Sequence, residues 1–122
     1  MKPLPTVTEA QHQEALFQWW ALVHRRYGLP ECALIHVPNE GKRSVAQAVK
    51  LKRQGMRKGV SDILLCAHAG KWHGLWIELK KMGGRATDEQ IAFIAAMREC
   101  GYDGAVCYGW QEARDVIMDY LG

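Results

Sequence analysis

Asp62, Glu78 and Lys80 are the side chains whose types and spacing best suit catalysis. Glu78 and Lys80 end an apolar run that begins at Leu75 and reads as a strand, while Asp62 stands just before a second run, Ile63 to Ala67. Side chains alternate along a strand, so Glu78 and Lys80 share one face, with Ile77 and Leu79 on the other. The polar turn His68-Ala69-Gly70-Lys71 between the runs predicts a hairpin, in which the start of one strand lies opposite the end of the next. Asp62 therefore meets Glu78 across the pair, although sixteen positions separate them. Two adjacent carboxylates repel unless a cation lies between them. Mg²⁺ takes oxygen ligands, typically one or two carboxylates with water and substrate phosphate filling the shell. Such an ion polarises a phosphodiester and lowers the pKa of water, and Lys80 can position or help deprotonate that water. The plainer alternative is an exposed Glu78–Lys80 pair on a strand edge and a turn aspartate, since an E-x-K tripeptide recurs by chance.

The elements that must position these groups follow from local signals. Thr6-Val7-Thr8-Glu9 and Thr8-Glu9-Ala10-Gln11 both fit a capping box, predicting a helix from about Glu9 to Tyr27 that stops near Gly28 and Pro30. Leu16, Trp20, Val23 and Tyr27 form one stripe at the helical period. Extended backward, the stripe reaches Gln13 and Glu9, which must lie at its wet edge or in a polar site. Ala33 to Val37 reads as a short strand, ended by the turn residues Pro38-Asn39-Glu40-Gly41. Ser44 caps a second helix that turns Val45, Ala48, Val49 and Leu51 inward and closes at Gly55. Thr87-Asp88-Glu89-Gln90 opens a helix with Ile91, Ile94, Ala95 and Met97 on its apolar side. Ala105 to Tyr108 is a fourth strand and Gln111 to Leu121 a closing helix. The order α-β-α-β-β-α-β-α predicts an α/β fold: one mixed sheet of about four strands flanked by helices, with a crossover from the hairpin to the last strand.

A chain of 122 residues fits one domain, taken as residues 1–122. Its 48% hydrophobic and 24% charged residues exclude a disordered or fibrous design. No apolar run approaches the roughly 20 residues of a membrane helix, and Met1 to Thr8 lacks the apolar stretch of a signal peptide, so a cytosolic location is expected. Cys32, Cys66, Cys100 and Cys107 form no metal or disulfide pattern and read as reduced thiols in a core. The five histidines show no ligand spacing, and no metal role is assigned to them. The five tryptophans are dispersed over separate elements and read mainly as packing residues, with Trp72 in the hairpin turn left open as a binding residue. Net charge is only +3, yet Gly41 to Ser61 holds seven basic residues and no acidic one. That one-sided segment suits a phosphate backbone, though a solvated charged face has the same composition.

Asp62 followed by Glu78-Leu79-Lys80 on a hairpin resembles the PD-(D/E)XK nuclease superfamily and its restriction-endonuclease-like core. The runs Val37-Pro38-Asn39-Glu40-Gly41-Lys42-Arg43, Gly55-Met56-Arg57-Lys58-Gly59-Val60-Ser61-Asp62 and Gly74-Leu75-Trp76-Ile77-Glu78-Leu79-Lys80 are similar to the virus-type replication-repair nuclease (VRR-NUC) family. Gly84-Arg85-Ala86-Thr87-Asp88-Glu89-Gln90 and Gly101-Tyr102 continue the likeness over nearly the whole chain. The resemblance implies Mg²⁺- or Mn²⁺-dependent cleavage of DNA and no organic cofactor. It makes Asp62, Glu78 and the Leu79 backbone carbonyl metal ligands, Lys80 the catalytic lysine, and Glu9 a helix carboxylate acting on the metal directly or through water. Gln90 matches a glutamine near the site. Asn39, Lys42, Arg43, Lys50, Lys52, Arg53, Arg57, Lys58 and Arg85 are the expected DNA contacts. Ser61 stands where the motif has proline, a residue that supplies no ligand, and Glu40 where the family more often has glycine. Stand-alone members resemble Holliday junction resolvases, which implies a homodimer acting on branched DNA in replication, repair or recombination. The alternatives are a flap or duplex-end nuclease of the same chemistry and a non-catalytic nucleic-acid-binding module.

Overall fold

Thr8, Ser44 and Thr87 each start a helix by the same local device. Each side-chain oxygen accepts a hydrogen bond from the backbone N–H three residues on, and the side-chain oxygen of a glutamine there accepts one from the N–H of the cap residue. Of the two overlapping boxes near the start, the one at Thr8 and Gln11 forms. The computed structural model describes residues 6–38 and 43–122, so Asn39, Glu40, Gly41 and Lys42 lie outside the described residues.

Helix α1 spans Glu9–Val23 and then tightens into a 3-10 turn, His24–Tyr27, so the single helix expected to Tyr27 changes pitch before its end. Strand β1, Leu34–His36, precedes α2, Val45–Arg53, and then β2, Ile63–Leu65, and β3, Leu75–Lys80. Helix α3, Asp88–Glu99, carries the chain to β4, Asp103–Tyr108, and α4 closes with Trp110–Leu121. The sheet order is β1-β2-β3-β4. The first two pairings are antiparallel, and β3 and β4 run parallel across the α3 crossover, as the element order predicts.

Packing assigns the faces of this mixed sheet. Leu16 and Trp20 of α1, Ile63, Leu65 and Ile77 of the sheet, and Ala113 and Ile117 of α4 are buried together in one core. The Trp20 ring stacks on Tyr27 at 6.3 Å, and its Nε1 donates to the Glu31 carbonyl at 2.8 Å, so the indole is buried without an unmet donor. Opposite faces of β3 alternate: Trp76 meets Phe93 of α3 edge to face at 5.1 Å, while Ile77 belongs to the core beneath α1 and α4. The tryptophan reading holds for Trp19, Trp20 and Trp110, which pack in or against the core. Trp72 is half-buried under Lys71, whose Nζ lies 4.8 Å from the ring.

Three expectations fail. Helix α2 buries none of its residues: Val45 and Val49 are exposed and only Leu51 is half-buried, so its apolar face is not a core face. On α3, Ile94 is buried as expected, but Ile91 and Ala95 face solvent, because the helix contacts the sheet through a narrower strip than its apolar pattern suggests. Only Cys107 is a core thiol. Cys32, Cys66 and Cys100 are exposed, all four are free, and burial together with Glu112 pushes Cys107 up to about 12. Among the described residues no helix is long and apolar enough to cross a membrane.

The loop leading to β2 is held against α3 by Gly59, where φ is +81° and an added Cβ would lie 2.3 Å from the Glu89 carbonyl oxygen. Gly55 has φ +101° but open space around it. Both positions penalise a side chain through φ, by about 1–2 kcal/mol. Only Gly59 adds a backbone clash. Gly59→Ala should therefore lower the thermal midpoint by several degrees more than Gly55→Ala, as measured by circular dichroism melts.

Candidate active site

The hairpin register brings the acids together. Ile63 pairs with Ile77, so Asp62 stands across from Glu78 at the mouth of β2, as the alternation predicts. The carboxylates then lock into each other's strand. Asp62 N–H donates to Glu78 Oε2 at 3.3 Å, and Leu79 N–H donates to Asp62 Oδ2 at 3.1 Å. Lys80 is buried beside them, its Nζ 3.8 Å from Glu78 Oε1. The Glu78–Lys80 pair is thus not the exposed strand-edge pair of the plainer alternative.

Glu78 is fully buried, and its Oε1 has no hydrogen-bond partner among the described residues. Taking a carboxylate out of water disfavours its charged form. Burial, then a hydrogen bond with Asp62 and the repulsion of its charge, raise the Glu78 carboxyl from 4.5 to about 8, while Lys80 pulls it down. A buried acid with an unused oxygen, beside a second carboxylate, fits a hard divalent cation in place of the proton. Asp62, Glu78 and the Leu79 carbonyl are the groups of this hairpin that would hold it.

Glu9 and Gln13, the backward extension of the α1 stripe, line a cavity of about 310 Å³ with His36, Asp62 and Leu79. The polar N-terminal end of α1 therefore opens onto the cavity beside Asp62. Glu9 stands across that cavity, however, and no three His, Cys, Asp or Glu side chains form a ready-made metal cluster among the described residues. Gln90 is placed differently: its side chain accepts from Thr87 N–H at 2.8 Å, and the residue lines the groove between α2 and α3, outside the cavity at Asp62. Ser61 is buried with its hydroxyl unpartnered and supplies no contact to the acids. Arg43, Lys50, Lys52, Arg53, Arg57, Lys58 and Arg85 are exposed, and Asn39 and Lys42 lie outside the described residues.

Sequence reasoning missed His36. Its Nδ1 lies 3.0 Å from the Asp62 carbonyl oxygen, which also accepts from Val37 N–H at 2.6 Å. A carbonyl can only accept, so Nδ1 carries the proton, and the main chain of Asp62 is held from β1. No spacing rule reveals a bond across 26 residues. Only the β1–β2 register does.

A mixed four-stranded sheet flanked by helices, with two interlocked acids and a lysine at its hairpin, is a nuclease-type fold. A family model, the VRR-NUC domain, matches residues 7–111. The chain belongs to the VRR-NUC family. A solved structure described as "VRR_NUC domain protein" is 28% identical, covers 98% of this chain and 90% of its own, and superposes with a TM-score of 0.79. No curated protein matches the chain.

The sign of the pH effect follows from Glu78. Its folded value of about 8 exceeds the unfolded 4.5, so the folded state holds the proton more tightly. That contribution to stability is fully present below about 4.5 and is lost as pH rises through about 8, with each unit worth about 1.4 kcal/mol. Chelator-treated protein should melt at progressively lower temperature from pH 5 to 9. Glu78→Gln should flatten that slope, and an unchanged slope would refute the assignment.

Proposed function

We propose that this chain is a metal-dependent endonuclease that hydrolyses DNA phosphodiester bonds. The observation that carries the reading is the buried Glu78 carboxyl, one oxygen unpartnered, locked to Asp62 and flanked by Lys80. Asp62, Glu78 and the Leu79 carbonyl would hold Mg²⁺ or Mn²⁺, and Glu9 of α1, which lines the same cavity as Asp62, would complete the site. When bound, the ion supplies Lewis-acid stabilisation of charge on the phosphoryl oxygens. The Lys80 ammonium, on the same hairpin end, donates from Nζ to the attacking water or to a phosphate oxygen and offsets the charge that grows there. Water oxygen bonds to phosphorus as the P–O ester bond breaks, and the proton that the water gives up is balanced by the one that the departing oxygen takes up, through solvent.

Family membership supports nucleic acid as the ligand, and the basic Arg43–Lys58 segment suits phosphate positioning. Branched DNA such as a Holliday junction, cut by a cytosolic homodimer in replication, repair or recombination, is the substrate reading drawn from stand-alone relatives. A two-fold partner supplies paired cuts. Sedimentation showing only monomer at micromolar concentration would remove the dimer.

Cleavage of four-way, flap and linear DNA with Mg²⁺, Mn²⁺ or chelator tests the chemistry and ranks the substrates. Asp62→Asn and Lys80→Ala should each lower cleavage by about 100-fold or more while DNA binding survives. Equal activity in the variants would refute the site, and binding without any metal-dependent cutting would leave a nucleic-acid-binding module.

A further inference from the structure

Helix α2 and the N-terminal turn of α3 face each other across a groove of about 720 Å³. Ala48 and Val49 of α2, with Met56 and Val60 of the following loop, give the groove aliphatic walls, and Lys52 and Lys58 add cationic charge. This is the apolar face that was expected to enter the core and does not: Val49 is 46% exposed. From Gly41 to Ser61 there is no acidic residue, so the charge on the α2 side of the groove is all positive, and among the described lining residues Glu89 is the acid that opposes it.

We infer that this groove binds a single-stranded arm of the nucleic-acid substrate and leads it to the acids. The inference rests on the nuclease reading and narrows its substrate: the arms of a Holliday junction are all duplex, so a groove for an unpaired strand favours the flap alternative among branched DNAs. A duplex turns its phosphates outward and keeps its base faces stacked inside, so it can use the lysines but gives aliphatic walls nothing to bury. An unpaired strand carries phosphates and exposed base faces together, which matches a groove with both surfaces. A second copy docked helix to helix would bring two acid-free cationic segments together and is disfavoured by repulsion. Location completes the argument. Val60 lines the groove and Asp62 lines the catalytic cavity. Their Cα atoms are two residues apart, at most about 7 Å. A strand leaving the groove at Val60 has about that distance to cover to reach Asp62.

Fluorescence anisotropy with a dT15 oligonucleotide and a blunt 15-base-pair duplex, in chelator so that nothing is cut, provides the test. Val49 and Lys52 are exposed, so Val49→Asn and Lys52→Glu should fold, and thermal melts check this. Lys52→Glu should weaken dT15 binding at least tenfold. Val49→Asn should weaken dT15 about fivefold and leave the duplex within twofold. Unchanged dT15 binding in both variants, or equal loss of dT15 and duplex in Val49→Asn, would overturn the proposal. So would displacement of dT15 by poly-glutamate at equal charge, which would make the groove an acidic-protein site. A wild-type dimer that Val49→Asn dissociates would assign the groove to a second copy instead. Plasmid nicking with Mn²⁺ by wild type against Asp62→Asn reads the nuclease chemistry separately, so failure of one claim is distinguishable from failure of the other.

Discussion

A carboxyl group buried from water, with one oxygen that accepts no hydrogen bond from the described residues, is the constraint around which the rest of this structure is arranged. Glu78 sits inside the sheet, where its charge is costly, and three features keep it there. The Asp62 amide donates to one oxygen, the Lys80 ammonium lies near the other, and a proton occupies the group up to about pH 8. In the nuclease reading proposed above, a cation would take the place of that proton, because a carboxylate binds metal only in its deprotonated form.

The surrounding elements serve that group unequally. Helix α1 does two things with one stripe. Leu16, Trp20 and Val23 are buried in the core, and Glu9 and Gln13 at its N-terminal end open onto the cavity beside Asp62. Burying the stripe thus fixes the acidic end of α1 over the hairpin. Strand β1 contributes through its backbone and His36, which hold the Asp62 main chain. Helix α2 works the other way. It adds nothing to the core, and its exposure leaves a basic and apolar surface beside the loop that leads to Asp62.

Much of this was legible because the rules involved are local. The capping boxes at Thr8 and Thr87 and the Ser44 cap depend on residues three apart, and all three form. Alternation along β3 and a short turn fix the Asp62–Glu78 meeting, because a one-residue slip would move Ile63 and Ile77 out of the core. Helical periodicity likewise placed Gln13 and Glu9 at one end of the buried stripe, where they line the cavity beside Asp62. What failed was the assumption that an apolar face must be an inner face. The pattern Val45, Ala48, Val49 has the right period, but period gives only direction, and whether a partner surface exists is a property of the whole fold. Ile91 and the three exposed cysteines fail similarly.

The sequence by itself determined the order of elements, the hairpin face that unites Asp62, Glu78 and Lys80, and a concentration of positive charge before Asp62. Each of these is set by neighbours a few residues apart or by a hairpin register. Tertiary structure alone decided that Glu78 is buried enough to hold a proton near neutral pH, that His36 grips the Asp62 carbonyl, and that α2 stands off across a groove from α3. Desolvation, tautomer and groove shape depend on which distant segments come to lie against a residue, and one-dimensional spacing carries no record of that.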